Sequence, residues 1–283
     1  MNCQQKTLFT MPAHLRKALG NKQKSDTFEK AMQLQGKAFR DVPGRKTSQV
    51  TLLGKQYFIK QHFGVGWREI FKNILSLKKP ILGAMTEVRA IQKIESLGIA
   101  TTPLVAYGQR GCNPARLQSF VMTEDLGNIV SLEDLCAAWK SNPPVATFKR
   151  KLIIATAKLA KTIHQNGVNH RDFYLCHLCL DAQNTNQRDL TNINLYLIDL
   201  HRVLMHNSSS TTANMKDIAA LYFSSMDIGL TQRDYLRFKM YYQQQTNDFW
   251  RAVEARATKL YAKFKSDKFQ KRLAEERTDL HDK

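Results

Sequence analysis

A short segment of this chain carries a histidine, an arginine and an aspartate in succession: His170, Arg171 and Asp172. The segment follows an amphipathic helical pattern and the turn at residues 165–167, a setting in which a loop can hold a carboxylate outside regular structure. A second aspartate, Asp199, ends an apolar run further along the chain. A kinase fold presents its catalytic base and then its metal ligand in this order. The pattern therefore predicts transfer of a phosphoryl group from a nucleotide to an alcohol, with Asp172 as the base.

The same reaction needs a metal ligand and a cation on the donor phosphates. Asp199 suits the first role, because Mg²⁺ prefers oxygen ligands and this residue ends an apolar strand pattern beside a polar turn. Lys60 ends another predicted strand and suits the second role, with Glu87 in the next helix but one as its ion-pair partner. Both of these assignments rest on order along the chain. The spacing from Asp172 to Asp199 exceeds that of a compact protein kinase, and the polar loop at residues 181–194 absorbs the excess.

Three features depart from the protein-kinase pattern. His177 stands where a protein kinase usually carries a metal-binding asparagine, and imidazole suits Mg²⁺ poorly. His177 is therefore a candidate for one metal contact, or for binding water or substrate. Residues 42–46 contain a single glycine, so Arg45 is a candidate to supply positive charge where backbone amides would otherwise hold phosphate. The sequence Asp-Leu-His at residues 199–201 replaces Asp-Phe-Gly, so the usual activation switch is not expected.

Cys176 and Cys179 form a Cys-x-x-Cys pair with His164 and His170 nearby, which raises the alternative of a zinc or redox site. One such pair without a second matching pair is a weak signal. We therefore favour cysteines packed beneath the catalytic loop.

Residues 67–78 have apolar side chains near helical spacing with basic residues between them. They could lie on a membrane surface, with Trp67 and Phe71 at the interface and basic residues on lipid phosphate. The alternative is an ordinary amphipathic helix packed on the small lobe.

The remaining patterns predict an α+β fold of the protein-kinase-like, two-lobed type, with a small antiparallel-sheet N-lobe and a helical C-lobe. We predict an N-terminal extension over residues 1–30, the N-lobe over 31–125 and the C-lobe over 126–283. Predicted strands cover residues 37–41, 47–53, 56–60, 101–107 and 117–123. One predicted helix begins near Asp26 and ends near Gly36. Further predicted helices cover residues 84–97, 131–139, 147–165, 214–227, 231–244 and 247–275.

Composition favours a globular cytosolic protein with an anionic partner. The formal net charge is +19, and such a field attracts nucleic acid, anionic lipid headgroups, phosphosugars or an acidic protein. No zinc-finger or RNA-recognition signature occurs, so nucleic acid is not the expected partner. No stretch is long and apolar enough to span a membrane, no signal peptide is recognisable, and the five cysteines are expected to be free thiols.

Longer strings in the sequence resemble one family, the lipopolysaccharide core heptose(I) kinases of the WaaP/RfaP type, from about Gln33 to Tyr261. They include VNHRDFYLCH at residues 168–177, LIDLHR at 197–202, KDIAALYFS at 216–224, FGVGW at 63–67, TPLVAYG at 102–108 and DIGLTQRD at 227–234. These strings are far more specific than His-Arg-Asp alone. His177 in place of asparagine also fits the family.

The resemblance implies a kinase-like fold that uses ATP with Mg²⁺ and phosphorylates a heptose of the lipopolysaccharide inner core. Its 4-hydroxyl would be the acceptor, on the cytoplasmic face of a Gram-negative inner membrane, where the protein would be peripheral on the anionic surface. By motif match Asp172 is the catalytic aspartate, Asp199 the metal ligand and Lys60 the phosphate-binding lysine paired with Glu87.

The resemblance adds three further residues and one partner. Glu124 and Leu126 would line the adenine pocket from the linker between the lobes, and Asp217 would support the catalytic loop from the following helix. Members of the family are also associated with acyl carrier protein, whose acidity suits the charge of this chain. Two alternatives stay open: a kinase for another sugar such as Kdo, and a non-catalytic pseudokinase that binds polyanions.

Overall fold

The structure is a computed structural model, and it describes residues 7–20, 24–64, 66–67, 83–182, 193–243 and 246–281. The chain divides into two compact units. The first comprises Met1–Gly127 with Leu197–Val203, and the second comprises Asn128–Tyr196 with Leu204–Lys283. No helix in the described ranges has the length and apolarity needed to cross a bilayer. The predicted helix at 67–78 lies outside the described residues, apart from Trp67.

The first unit is built on a six-stranded antiparallel sheet with the strand order β1-β5-β6-β4-β3-β2. Its strands are β1 (Thr7–Thr10), β2 (Lys37–Val42), β3 (Arg45–Leu52), β4 (Lys55–His62), β5 (Leu104–Arg110) and β6 (Gln118–Glu124). Its helices are α1 (Ala13–Ala18), α2 (Lys24–Gln33) and α3 (Met85–Ser96). The predicted strands and the helix near residues 84–97 are therefore present, within a few residues of their expected ends.

The core of this unit lies between one face of the sheet and the N-terminal elements. Alternation along β4 buries Tyr57 and Ile59, which pack with Phe28 of α2 and with Leu15 of α1. Residues 7–20, assigned by sequence to an extension, form β1 and α1, and β1 pairs with β5. The predicted domain boundaries stay predictions.

The second unit is mainly helical. Its helices are α4 (Leu132–Cys136), α5 (Ala146–Gln165), α6 (Thr211–Ser224), α7 (Gln232–Tyr242), α8 (Asn247–Lys265) and α9 (Asp267–His281). Its short strands are β7 (Ile129–Ser131), β8 (Val168–Asn169), β9 (Leu178–Asp181) and β11 (Leu204–Met205), while β10 (Tyr196–Leu197) spans the division of the chain. Strand β7 pairs with β9, and β8 pairs with β11, both antiparallel.

The single helix predicted over residues 247–275 was wrong, because the structure has two helices there. Ser266 adopts an extended conformation (φ −69°, ψ 140°) that ends α8, and α9 begins at the next residue. Oγ of Ser266 donates to the carbonyl of Lys263 at 2.7 Å, at the end of α8, and the acidic Asp267 in the first turn of α9 favours the start of a new helix.

Candidate active site

Lys60 and Glu87 form an ion pair inside the first unit. Lys60 lies on β4 between the buried Ile59 and Gln61, so alternation directs its side chain to the face opposite the core. Its Nζ lies 2.6 Å from Oε1 of Glu87, in the first turn of α3. Glu87 is 5% exposed, and a buried carboxylate requires such a partner. The predicted pairing is therefore present, and the roles of both residues toward a nucleotide stay predictions.

Asp199 lies beside this pair. Its Oδ1 is 3.4 Å from Nζ of Lys60 and 2.6 Å from Nδ1 of His201. Asp199 has a left-handed backbone conformation (φ 59°, ψ 56°), which costs a non-glycine residue on the order of 1 kcal/mol and is concentrated at functional sites. The structure thus brings Lys60, Glu87 and Asp199 together, as their order along the chain predicted.

Two hydrogen bonds fix the segment that carries Asp199. The amide of Leu197 donates to the carbonyl of Ala100, and Oγ1 of Thr101 donates to the carbonyl of Leu197 at 2.7 Å. Thr101 and His201 both position Asp199, and the sequence alone indicates a role for neither of them. Each of them contributes a single hydrogen bond, and such a contribution does not correspond to a recognisable sequence motif.

Arg45 and His62 face each other across β3 and β4, next to the Lys60 pair. Burial lowers the pKa of the Arg45 guanidinium, while the charges of Glu87 and Asp199 act in the opposite direction. Burial, with the positive charges of Arg45, Lys60 and His201, lowers the pKa of His62 to about 3. His62 is therefore neutral near pH 7 and adds no positive charge to that of Arg45 and Lys60.

Two buried polar atoms of this group lack a hydrogen-bond partner within the described part of the chain. They are Oε2 of Glu87 and Nε of Arg45. An unsatisfied buried polar atom costs about 1–3 kcal/mol, so its presence calls for an explanation. A bound ligand or ordered water would supply one.

Glu124 and Leu126 follow directly on this sheet. Glu124 is the last residue of β6 and is exposed, and its amide donates to the carbonyl of Pro103. Leu126 is partly buried and lies in the turn closed by the bond from the Gly127 amide to Oδ1 of Asp125 at 2.8 Å. Both residues therefore lie on the segment where the first unit ends.

Asp217 anchors the His-Arg-Asp loop inside the second unit. The amides of His170 and Arg171 donate to its carboxylate, at 2.7 and 2.9 Å. Arg171 has a left-handed backbone (φ 71°), which is unfavourable for a long side chain. The buried carboxylate of Asp217 holds the loop in this conformation just before Asp172. Support of the loop by Asp217, which the family resemblance implied, is thus present in the structure.

Further donors surround the same carboxylate. His164 Nε2 lies 3.3 Å and Asn169 Nδ2 lies 3.4 Å from Oδ2 of Asp217, and Asn169 Nδ2 also donates to Oδ1 of Asn214 at 3.0 Å. Gly167 turns the chain into this loop with φ 69°, and a Cβ there would lie 2.3 Å from the carbonyl oxygen of His206. The sequence alone indicates no function for Asn169 or Asn214.

His177 supports the turn that begins at Asp172. Its Nδ1 lies 2.6 Å from the carbonyl oxygen of Asp172, which also accepts from the amide of Tyr174 at 2.9 Å. A carbonyl oxygen only accepts, so Nδ1 of His177 carries a proton. A metal ion or water could then be reached only through Nε2, and metal ligation by His177 stays a prediction.

The cysteines near this loop are thiols. Cys176 is partly buried and Cys179 is buried, and each retains its thiol group rather than forming a disulfide. Burial raises the pKa of Cys179 to about 11, so it does not supply a thiolate at neutral pH. Among the described residues, no group of three or more His, Cys, Asp or Glu side chains is placed to hold a metal ion. Cys112 is disulfide-bonded, so the expectation of free thiols throughout was wrong there, because spacing along a chain does not reveal proximity in space.

These two groups of residues define the class of protein. An antiparallel-sheet unit carries a paired lysine and glutamate beside an aspartate, and a helical unit carries a His-Arg-Asp loop held by a helix aspartate. This is the arrangement of the protein-kinase-like fold.

Comparison with known proteins identifies the family. The sequence model of the lipopolysaccharide kinase (Kdo/WaaP) family matches residues 29–242. The chain is 42% identical over 244 residues to lipopolysaccharide core heptose(I) kinase WaaP of Pseudomonas aeruginosa, covering 83% of this chain and 90% of the relative. It is 41% identical over 243 residues to WaaP of Escherichia coli, covering 83% and 91%. This chain belongs to the lipopolysaccharide kinase (Kdo/WaaP) family, and it is a kinase.

A solved structure agrees with this assignment. WaaP in complex with acyl carrier protein matches the fold with a TM-score of 0.75 and 34% sequence identity, covering 90% of this chain and 99% of that chain. The predicted fold class and the predicted family are therefore confirmed.

Proposed function

We propose that this kinase transfers the terminal phosphoryl group of ATP to heptose I of the lipopolysaccharide inner core, at its 4-hydroxyl. The observation that carries the proposal is the 42% identity to a heptose(I) kinase, extending over 90% of that relative. Identity at this level over nearly the whole length supports a shared acceptor as well as a shared fold.

The first unit handles the donor in this proposal. Lys60, held by Glu87 at 2.6 Å, contacts the donor phosphates. Arg45 lies on the same face of the sheet as Lys60, and it adds positive charge where protein kinases use a glycine-rich loop. Glu124 and Leu126 contact the adenine. The unsatisfied Nε of Arg45 supports this assignment, since its N–H could donate a hydrogen bond to a phosphate oxygen.

The donor set suits magnesium. Asp199 offers a carboxylate whose side chain is 33% exposed, and Mg²⁺ is usually held by one or two carboxylates together with substrate phosphates. Asp199 would hold the ion, which when bound would neutralise charge on the phosphates of ATP. Oδ1 of Asp199 is engaged by His201 and Lys60, so these two residues orient the carboxylate.

The second unit handles the acceptor. Asp172 accepts the proton of the heptose hydroxyl as the hydroxyl oxygen attacks the terminal phosphorus of ATP, and the bond from that phosphorus to the bridging oxygen breaks to release ADP. His177 and Asp217 fix the backbone on either side of Asp172, so the carboxylate is positioned before the substrate arrives. Positioning of this kind supplies much of the catalysis in phosphoryl transfer, where little covalent chemistry falls to the protein.

We also propose two anionic partners. The acceptor lipid lies in an anionic membrane, and a protein with a net charge of +19 is attracted to that surface. The solved relative is in complex with acyl carrier protein, which supports an acidic carrier protein as the second partner. This kinase and acyl carrier protein, when mixed, should co-elute in size-exclusion chromatography at low salt. Separate elution at every salt concentration would contradict this partner.

Phosphate transfer from labelled ATP to purified, dephosphorylated core lipopolysaccharide tests the proposal. Wild type should label heptose, Asp172→Asn should lose at least about a hundredfold in rate, and the exposed control Asp248→Asn should match wild type. Transfer to an acceptor that ends in Kdo, with none to heptose, would redirect the proposal to a Kdo kinase. ATP binding without transfer to either acceptor would contradict both.

A further inference from the structure

Tyr242 connects α7 to the support of the catalytic loop. It is the last residue of α7 and is 3% exposed. Its hydroxyl oxygen lies 2.7 Å from Nδ1 of His164 on α5. Its ring stacks on Phe238 at 5.9 Å and meets Trp250 edge-on at 5.9 Å. The hydroxyl is thus directed at His164 by a packed aromatic group.

The protons along this contact can be assigned from chemistry. An ionised carboxylate only accepts, so His164 Nε2, 3.3 Å from Oδ2 of Asp217, carries a proton. In the neutral ring the lone pair is then on Nδ1, where the Tyr242 hydroxyl donates. Burial raises the pKa of the Tyr242 phenol, so the hydroxyl keeps its proton and acts as the donor.

The chain of hydrogen bonds ends at the catalytic loop. The carboxylate that accepts from His164 also accepts from the amides of His170 and Arg171. Arg171 has an unfavourable left-handed backbone, so it depends on this carboxylate to stay in place. A switch of His164 to its other tautomer would withdraw a donor from Asp217 and loosen the loop that carries Asp172.

We propose that Tyr242 is a positioning residue for catalysis, whose hydroxyl fixes the Nε2–H tautomer of His164 and thereby holds Asp217 on the catalytic loop. The effect on rate rests on the proposed role of Asp172. The effect on His164 does not, so the two can fail separately.

Nitrogen NMR of imidazole-labelled protein tests the tautomer directly, with the His164 signals assigned by their loss in His164→Gln. Wild type should have the proton of His164 on Nε2, and Tyr242→Phe should shift the Nδ1 signal as its donor is removed. The matched control Tyr235→Phe removes an α7 hydroxyl that bonds to Ser225 and should leave His164 unchanged. A proton on Nδ1 alone in wild type, or no shift in Tyr242→Phe, would overturn the proposal.

Kinetics separates positioning from mere stability. Tyr242→Phe should lower kcat about 3- to 10-fold, the worth of one hydrogen bond, with KM for ATP unchanged. Tyr235→Phe should change kcat less than about twofold, the effect expected of a hydroxyl outside the contact. In a His164→Gln background, whose side-chain amide can still donate to Asp217, Tyr242→Phe should have no further effect on kcat. Equal losses in both backgrounds, or a lowered melting temperature with unchanged kcat, would refute the role. A wild type without transfer activity would count against the proposed function and leave the NMR result to decide this one.

Discussion

Lys60 and Glu87 illustrate how single residues carry the chemistry. Their side chains are 19% and 6% exposed, so neither charge is well solvated and each depends on the other. Nζ of Lys60 also lies 3.4 Å from Oδ1 of Asp199. The ion pair with Glu87 therefore fixes the position of the ammonium group beside Asp199. We therefore expect that replacing Glu87 with the uncharged glutamine displaces the ammonium group of Lys60.

Glu87→Gln should raise KM for ATP by about tenfold or more, because Lys60 loses its anionic anchor and turns toward Asp199. Steady-state kinetics over a range of ATP concentrations measures the effect. Glu254→Gln, which removes an exposed carboxylate paired with Lys239, is the matched control and should leave KM unchanged. An unaltered KM in Glu87→Gln would mean that the ion pair does not contribute to donor binding.

His62 gives a residue-scale prediction about acid. Its pKa is about 3 in the folded chain and about 6.5 when unfolded, so the unfolded state binds the proton first. The contribution of His62 to the free energy of unfolding is therefore fully present above pH 6.5. It is lost as the pH falls toward 3, because protons bind to His62 in the unfolded chain and not in the folded one. Wild type should lose up to about 1.4 kcal/mol of unfolding free energy per pH unit across this window relative to His62→Gln.

Urea unfolding at several pH values measures this difference. His14→Gln, which replaces an exposed histidine on α1, is the control and should follow wild type. Parallel plots of unfolding free energy against pH for wild type and His62→Gln, between about pH 6 and about pH 4, would contradict the prediction. They would mean that His62 takes up its proton as readily in the folded protein as in the unfolded chain.

At the scale of elements, local pattern predicted most strands and helices. Alternation predicted β4, and the apolar period predicted α3 and α5, because each of these elements buries one face. The pairing of β1 with β5 was not predictable, since an edge strand depends on a partner distant in the chain. The same division holds for the site. Lys60, Glu87, Asp172 and Asp199 follow a known order, whereas Thr101 and His201 act through single bonds to backbone or carboxylate.

Packing of the N-terminal elements on the sheet leads to a stability prediction. Leu15 of α1 is fully buried among Phe28 and Ile59, so Leu15→Ala should lower the unfolding free energy by about 3 kcal/mol. Leu8→Ala, at a position 49% exposed on β1, is the matched control and should cost less than about 0.5 kcal/mol. Denaturant unfolding compares the two variants. Equal small losses would mean that α1 does not contribute to the core.

At the scale of the whole molecule, the excess of 43 lysines and arginines over 24 acidic residues creates a long-range field. No single residue accounts for it, and its effect is felt within about 10 Å of the surface at moderate salt. In the proposed function this field concentrates the enzyme where its anionic acceptor is embedded.

Binding to lipid vesicles tests the field. The protein should sediment with vesicles that contain anionic phospholipid and stay in solution with neutral phosphatidylcholine vesicles. Raising the salt concentration about tenfold should release most of the bound protein, because the attraction is screened. Binding that is independent of both lipid charge and salt would contradict an electrostatic origin.

The most direct test of the central claim is to locate the phosphate on the product. Dephosphorylated core lipopolysaccharide is incubated with ATP, Mg²⁺ and either wild type or Asp172→Asn, and the sugar product is analysed by phosphorus NMR and mass spectrometry. We predict a single new phosphate on the 4-hydroxyl of heptose I with wild type and none with the variant. Phosphate on another sugar, or equal product from Asp172→Asn, would contradict the assignment.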